Sequence, residues 1–119
     1  MLTRQTLSSR DFDWQQLRQL AGEDSDFEIE LLTIFLQDAE SSLGKLDRAI
    51  ALSNSQAIEV AAHSLQGASA NVGARALAAT ANQLEQRARN GNINGATLLL
   101  QQLRQQCKAV QMQFLSRHT

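Results

Sequence analysis

Proline is absent from the 119 residues of this chain, so no helix carries a proline kink and turns fall to other residues. A single cysteine, Cys107, excludes an internal disulfide and a cysteine-based zinc site. Tyrosine is also absent, and the aromatics are four phenylalanines and one tryptophan. No stretch alternates apolar and polar residues with a sustained period of two, so no half-buried strand is signalled. No apolar run approaches membrane-span length, and the N-terminus lacks the apolar core of a secretion signal. A soluble, cytoplasmic chain with no membrane partner is the expectation. The net charge of −1 gives no general signature of nucleic-acid binding.

What remains is rich in alanine, leucine and glutamine, a helix-forming composition. The length suits one domain, residues 1–119, built on a single core. Charge is uneven. Residues 1–59 carry eleven acids and five bases, whereas residues 60–119 carry one acid, Glu85, and six bases. A basic half steers toward an acidic partner, although solubilising charge placed without design fits equally well.

Residues 1–11 are polar and are expected to be poorly ordered or loosely docked. A short helix follows, with Asp13 as cap, Gln16 completing a capping box and Phe12 with Leu17 as a hydrophobic staple. Trp14, Leu17 and Leu20 or Ala21 form its apolar face, and Gly22 ends it. Ser25 with Glu28 reads as the next capping pair. Leu32, Phe35, Ala39, Leu43, Leu46 and Ile50 then recur at helical spacing, predicting a helix over 26–52. Gly44 falls inside it without a local reason. The spacing predicts further helices over 56–71, 74–90 and 95–116, separated by "SNS", "NVG" and "NING". Leu77, Ala81, Leu84 and Ala88 form the inner stripe of the fourth helix. The last buries Leu99 or Leu100, Leu103, Cys107, Val110 and Phe114. On that stripe Cys107 reads as a small buried hydrophobe. Long amphipathic helices joined by short turns predict an all-α, antiparallel up-down-up-down four-helix bundle with an additional short N-terminal helix.

The third helix contains "AAHSLQGASANVG", with a histidine in an alanine-rich run. With Ile58 at zero and 100° per residue, Ala62, Leu65, Ser69 and Val72 fall within about 40° of it, on the packing side. His63 falls near ~140°, Gly67 near ~180° and Ala70 near ~120°, all facing outward. Gly67 costs about 0.5–1 kcal/mol relative to alanine inside a helix, which suggests a close approach over that face. A surface histidine beside an incidental glycine fits the wheel as well. A metal site is disfavoured, because the nearest acid, Glu59, is a turn away and the ring points outward. No nucleophile elbow or phosphate-binding glycine loop is present. If His63 reacts, a partner brings most of the remaining machinery. Outward Val60 extends the exposed patch.

"HSLQGASANVGARAL" followed by "LEQRAR" resembles the histidine-containing phosphotransfer (HPt) domain of multistep two-component phosphorelays. The matching positions are His63, Leu65, Gly67, Ser69, Gly73, Leu77, Leu84, Glu85 and Arg89, and the helical layout agrees over nearly the whole chain. The resemblance implies that a receiver domain carrying a phosphoaspartate docks over this face. His63 attacks in line through Nε2 and later passes the phosphoryl group to another response-regulator receiver. Receiver domains of hybrid histidine kinases and response regulators are the implied partners. The Mg²⁺ is expected on the receiver, with no cofactor on this chain. Neutral imidazole is the competent nucleophile. Gly67 and Ala70 leave room for the approach, as docking positions with Val60. If the hairpin turns near Gly73, Glu85 lies within a turn of His63 and Arg89 about one turn further on. By their places in the pattern, Glu85 hydrogen-bonds the imidazole and Arg89 assists electrostatically. Ordinary surface charge fits both equally.

Gln66 departs from the pattern, which has lysine there. Glutamine donates a hydrogen bond but supplies no charge. The resemblance therefore implies a phosphocarrier, a monomer without autonomous kinase activity. The alternative is a docking-only adaptor or inhibitor of receivers, and a helical scaffold or metal binder is a third reading. The Met1 start and polar N-terminus favour a free-standing protein over a fragment of a kinase.

Overall fold

The computed structural model describes residues 11–117. Among them are five helices and no strand: α1 (Trp14–Leu20), α2 (Ser25–Ala51), α3 (Ser55–Val72), α4 (Arg75–Arg89) and α5 (Ala96–Arg117). Helices α2 to α5 form the antiparallel bundle. α3 packs most extensively on α4 and next on α2, and α5 closes the ring against α2 and α4. Short α1 rests on α2 and α3. The expected looseness of residues 1–11 lies outside the described residues except at Asp11. Its carbonyl accepts the Ala76 N–H at 3.0 Å.

The three-and-four spacing becomes one core. Leu32, Phe35, Leu46, Ile58, Leu65, Leu77, Leu84 and Leu103 are all buried. Burying each large side chain contributes about 1.5–3 kcal/mol relative to leaving it exposed. Cys107 is buried on the same stripe, while Ile50 and Phe114 are only partly covered. Among the described residues, no helix is long and apolar enough to cross a membrane.

Two caps differ from the sequence expectation. Asp24, not Ser25, caps α2: its carboxylate accepts the N–H groups of Asp26 and Phe27 at 2.9 and 3.2 Å. A carboxylate one residue earlier satisfies the free helical donors, so Ser25 becomes the first helical residue. Asp13 does cap α1, accepting the Gln16 N–H at 3.1 Å. The Gln16 side chain does not turn back to complete a box. It donates to the carbonyls of Ala70 and Asn71 at 2.8 and 3.1 Å, satisfying acceptors in the last turn of α3. The Asp13 N–H donates to Gly73 O at 2.8 Å in the same clasp. Gly73 closes α3 with φ +91°, and an added Cβ would lie 2.7 Å from the Asp13 carbonyl oxygen. The left-handed turn and the close approach both require glycine there.

Far along the bundle, Arg117 donates to the buried Glu28 carboxylate at 3.2 Å and lies over the Trp14 ring at 4.6 Å. This ties the last turn of α5 to the start of α2 and to α1. Glu28 is therefore a buried pairing group, not the capping partner of Ser25.

Candidate functional site

The α3 wheel holds in three dimensions. Ile58, Ala62, Leu65, Ser69 and Val72 face the core, and Ala61 joins them at the edge. His63, Gly67 and Ala70 are exposed, and Gln66 is half-buried. The His63 side chain is 71 % exposed. An added Cβ at Gly67 would meet nothing within 4 Å, so this glycine answers no internal packing need. It keeps the surface low one turn beyond the ring.

The turn at Gly73 folds α4 back along α3 and brings Glu85 to the imidazole. Glu85 Oε2 lies 2.9 Å from His63 Nδ1. The carboxylate itself is buried, with its side chain 5 % exposed. Arg89, one turn further along α4, donates from Nη2 to the same Oε2 at 2.7 Å. An oxygen accepting from a guanidinium is an acceptor for the ring as well, so Nδ1 carries the hydrogen of that contact. In the neutral imidazole the lone pair then belongs to Nε2, on the outward edge of the ring. Thus one nitrogen is held and the other is presented.

Glu59 completes the group. It stands one turn before His63 on α3 and accepts Arg89 Nε at 3.0 Å. That hydrogen bond is the leading cause holding the Arg89 guanidinium above its ordinary value, with the charges of Glu59 and Glu85 adding to it. Among the described residues, no group of three or more His, Cys, Asp or Glu side chains is placed to hold a metal ion.

The phosphotransfer pattern is thus matched by an outward ring, a low neighbouring surface and an inward hydrogen-bond partner. Residues 30–113 match the family model of the Hpt domain. The chain belongs to the histidine phosphotransfer family of two-component phosphorelays. This Hpt domain also resembles a solved structure, that of histidine-containing phosphotransfer protein B from Pseudomonas aeruginosa PAO1. The two share 32 % sequence identity with a TM-score of 0.86, over 92 % of this chain and 96 % of that one. Comparison with curated proteins gives no match.

The fold brings together His63, Glu85 and Arg89 and leaves Gln66, Gly67 and Ala70 around them on the α3 face. Val60, 65 % exposed and one turn before His63 on α3, lines a groove between α2 and α3. The groove has a volume of about 900 Å³ and includes Gly44, Lys45, Arg48, Leu52, Ala57 and Ser64. Gly44 has no atom within 4 Å of an added Cβ, so its place in the groove is its only structural distinction. Sequence reading missed this groove and the part played by Glu59. The available signal for Glu59 was its position one turn before His63. Its partner lies on another helix and was not visible in that spacing.

Proposed function

We propose that His63 is the phosphoryl acceptor of this Hpt domain and that the chain acts as a monomeric, single-domain shuttle between receiver domains. One observation carries the reading: Nδ1 of an exposed imidazole is held by a buried carboxylate, which directs Nε2 outward. In the transfer step the Nε2 lone pair attacks phosphorus of a receiver's aspartyl phosphate in line. The N–P bond forms as the P–O bond to aspartate breaks, and the carboxylate leaves with the bond electrons. The ring keeps its Nδ1 hydrogen and gains positive character, which the Glu85 carboxylate stabilises. The reverse sequence returns the group to a second receiver's aspartate. Mg²⁺ held by the receiver supplies charge neutralisation at the phosphoryl oxygens. The helices contribute a positioned nucleophile.

Gly67 and Ala70 admit the receiver beside the ring, and Val60 extends the docking surface into the α2–α3 groove. Leu52 and Val60 are large apolar side chains left exposed, and Lys45 and Arg48 bring positive charge to the same groove. That combination suits an apolar surface rimmed with acids. Gln66 lies one turn from His63 and offers a neutral donor to the phosphoryl group.

The test is incubation of the chain with a panel of phosphorylated receivers. Acid-labile, alkali-stable phosphate on wild type, absent from His63→Gln, is the expected result. Binding without transfer would favour a docking-only adaptor. Label taken directly from ATP by the purified chain would contradict the carrier role.

A further inference from the structure

We propose that Glu59 is a positioning residue for phosphotransfer, acting through Arg89 to hold Glu85 on the imidazole. The proposal rests on the reading of His63 as the acceptor. Four side chains form a closed frame across two helices. Glu59 and His63 are one turn apart on α3, and Glu85 and Arg89 are one turn apart on α4. Arg89 Nε meets Glu59 Oε2 at 3.0 Å, Arg89 Nη2 meets Glu85 Oε2 at 2.7 Å, and that oxygen meets His63 Nδ1 at 2.9 Å.

The need for a second carboxylate follows from exposure. The Arg89 side chain is 50 % exposed and has many rotamers. A lone pair between residues one turn apart on a helix surface is weakly held. Bonds from two different nitrogens fix both the position of the guanidinium and its rotation about the Cδ–Nε bond. Glu59 supplies the second bond. With Arg89 fixed, Glu85 Oε2 accepts from two directions, and its carboxylate has one favoured placement toward Nδ1. Without Glu59, Arg89 is free to swing into solvent. Glu85 then loses a donor and with it part of its hold on the Nδ1–H tautomer. The frame also commits two of the three guanidinium nitrogens to carboxylates. Arg89 therefore acts on the ring chiefly through Glu85 rather than as a free cation beside the phosphoryl group.

The experiment compares wild type with Glu59→Ala, Glu59→Gln, Arg89→Ala and the Glu59→Ala/Arg89→Ala double variant, all labelled with ¹⁵N-histidine. Ring nitrogen signals give the fraction of His63 in the Nδ1–H tautomer without any receiver present. That fraction should fall in Glu59→Ala and in Arg89→Ala, with no further fall in the double variant. Glu59→Gln keeps an acceptor for Nε–H and should recover most of it. The rate of transfer from a phosphorylated receiver should fall at least about threefold in Glu59→Ala, and the change should add nothing once Arg89 is alanine. Wild-type ring signals in Glu59→Ala would overturn the proposal, as would losses that multiply in the double variant. A chain that accepts no phosphoryl group from any receiver would instead count against the His63 reading. The tautomer comparison would still report whether Glu59 acts through Arg89.

Discussion

Glu85, buried on α4, places its Oε2 2.9 Å from Nδ1 of the exposed His63 on α3. The contact joins a rigid interior group to a surface ring, and it orients the ring without covering it. Glu85→Ala is expected to slow receiver-to-chain transfer about tenfold, the equivalent of one charge-assisted hydrogen bond of ~1.5 kcal/mol. Glu85→Gln keeps a carbonyl acceptor and should lose less. Single-turnover transfer assays measure both, and an unchanged rate in Glu85→Ala would make the contact incidental to the reaction.

Gly67 inside α3 and Gly73 at its C-terminal cap should respond in opposite ways to alanine. Gly67 has open space around its missing side chain. Gly67→Ala should therefore raise stability by about 0.5–1 kcal/mol while slowing transfer, because the new methyl group faces the approaching receiver. Gly73 has φ +91° and the Asp13 carbonyl in the way. Gly73→Ala should lower stability by about 1–3 kcal/mol. Urea unfolding of both variants checks the contrast. Equal losses at the two positions would assign Gly67 to the fold rather than to docking.

Gln66→Lys brings a positive charge one turn from His63. An added partial screening charge worth about 1 kcal/mol corresponds to about a fivefold faster transfer or longer-lived phosphohistidine, diminishing at high salt. Identical kinetics in the two proteins would exclude a role for position 66 at the phosphoryl group.

Burial pushes the Cys107 thiol up, and the charge of Glu40 adds to the effect. The folded chain therefore keeps this proton where the unfolded chain has lost it. The associated stability is complete below the ordinary thiol range, ~8.5, and is lost as pH rises through the higher folded value. The stability difference between wild type and Cys107→Ala should accordingly shrink from pH 8 upward. Urea unfolding at a series of alkaline pH values measures it, and a difference that grows with pH would contradict the buried-thiol account. Thiol reagents should label native Cys107 slowly and the unfolded chain quickly.

The helices were legible in the residues because their signal is local. Leu77, Ala81, Leu84 and Ala88 announce one face of α4, and all four are buried. The turns at "SNS" and "NVG" fall where the helices stop. The outward placement of His63 and Gly67 followed from the same period. Caps carry a weaker local signal, because Asp24 and Ser25 are adjacent capping types and only backbone geometry chooses between them. Spacing marks Gln16 as a local capping group, yet its side chain crosses to carbonyls on α3, 54 and 55 residues away.

Sequence alone determined the helical fold class, the buried stripes and the exposed face that carries His63. These depend on the 3.6-residue repeat, which each segment imposes on itself. The family pattern already implied the contact between His63 and Glu85, 22 residues apart, and the structure gives its distance. Tertiary structure alone decided the other two pairings: Arg89 reaches Glu59 across 30 residues, and Arg117 reaches Glu28 across 89. Such pairings depend on the register of each helical hairpin and on the rotation of each helix about its axis. Both are set by packing between helices, which no single segment encodes.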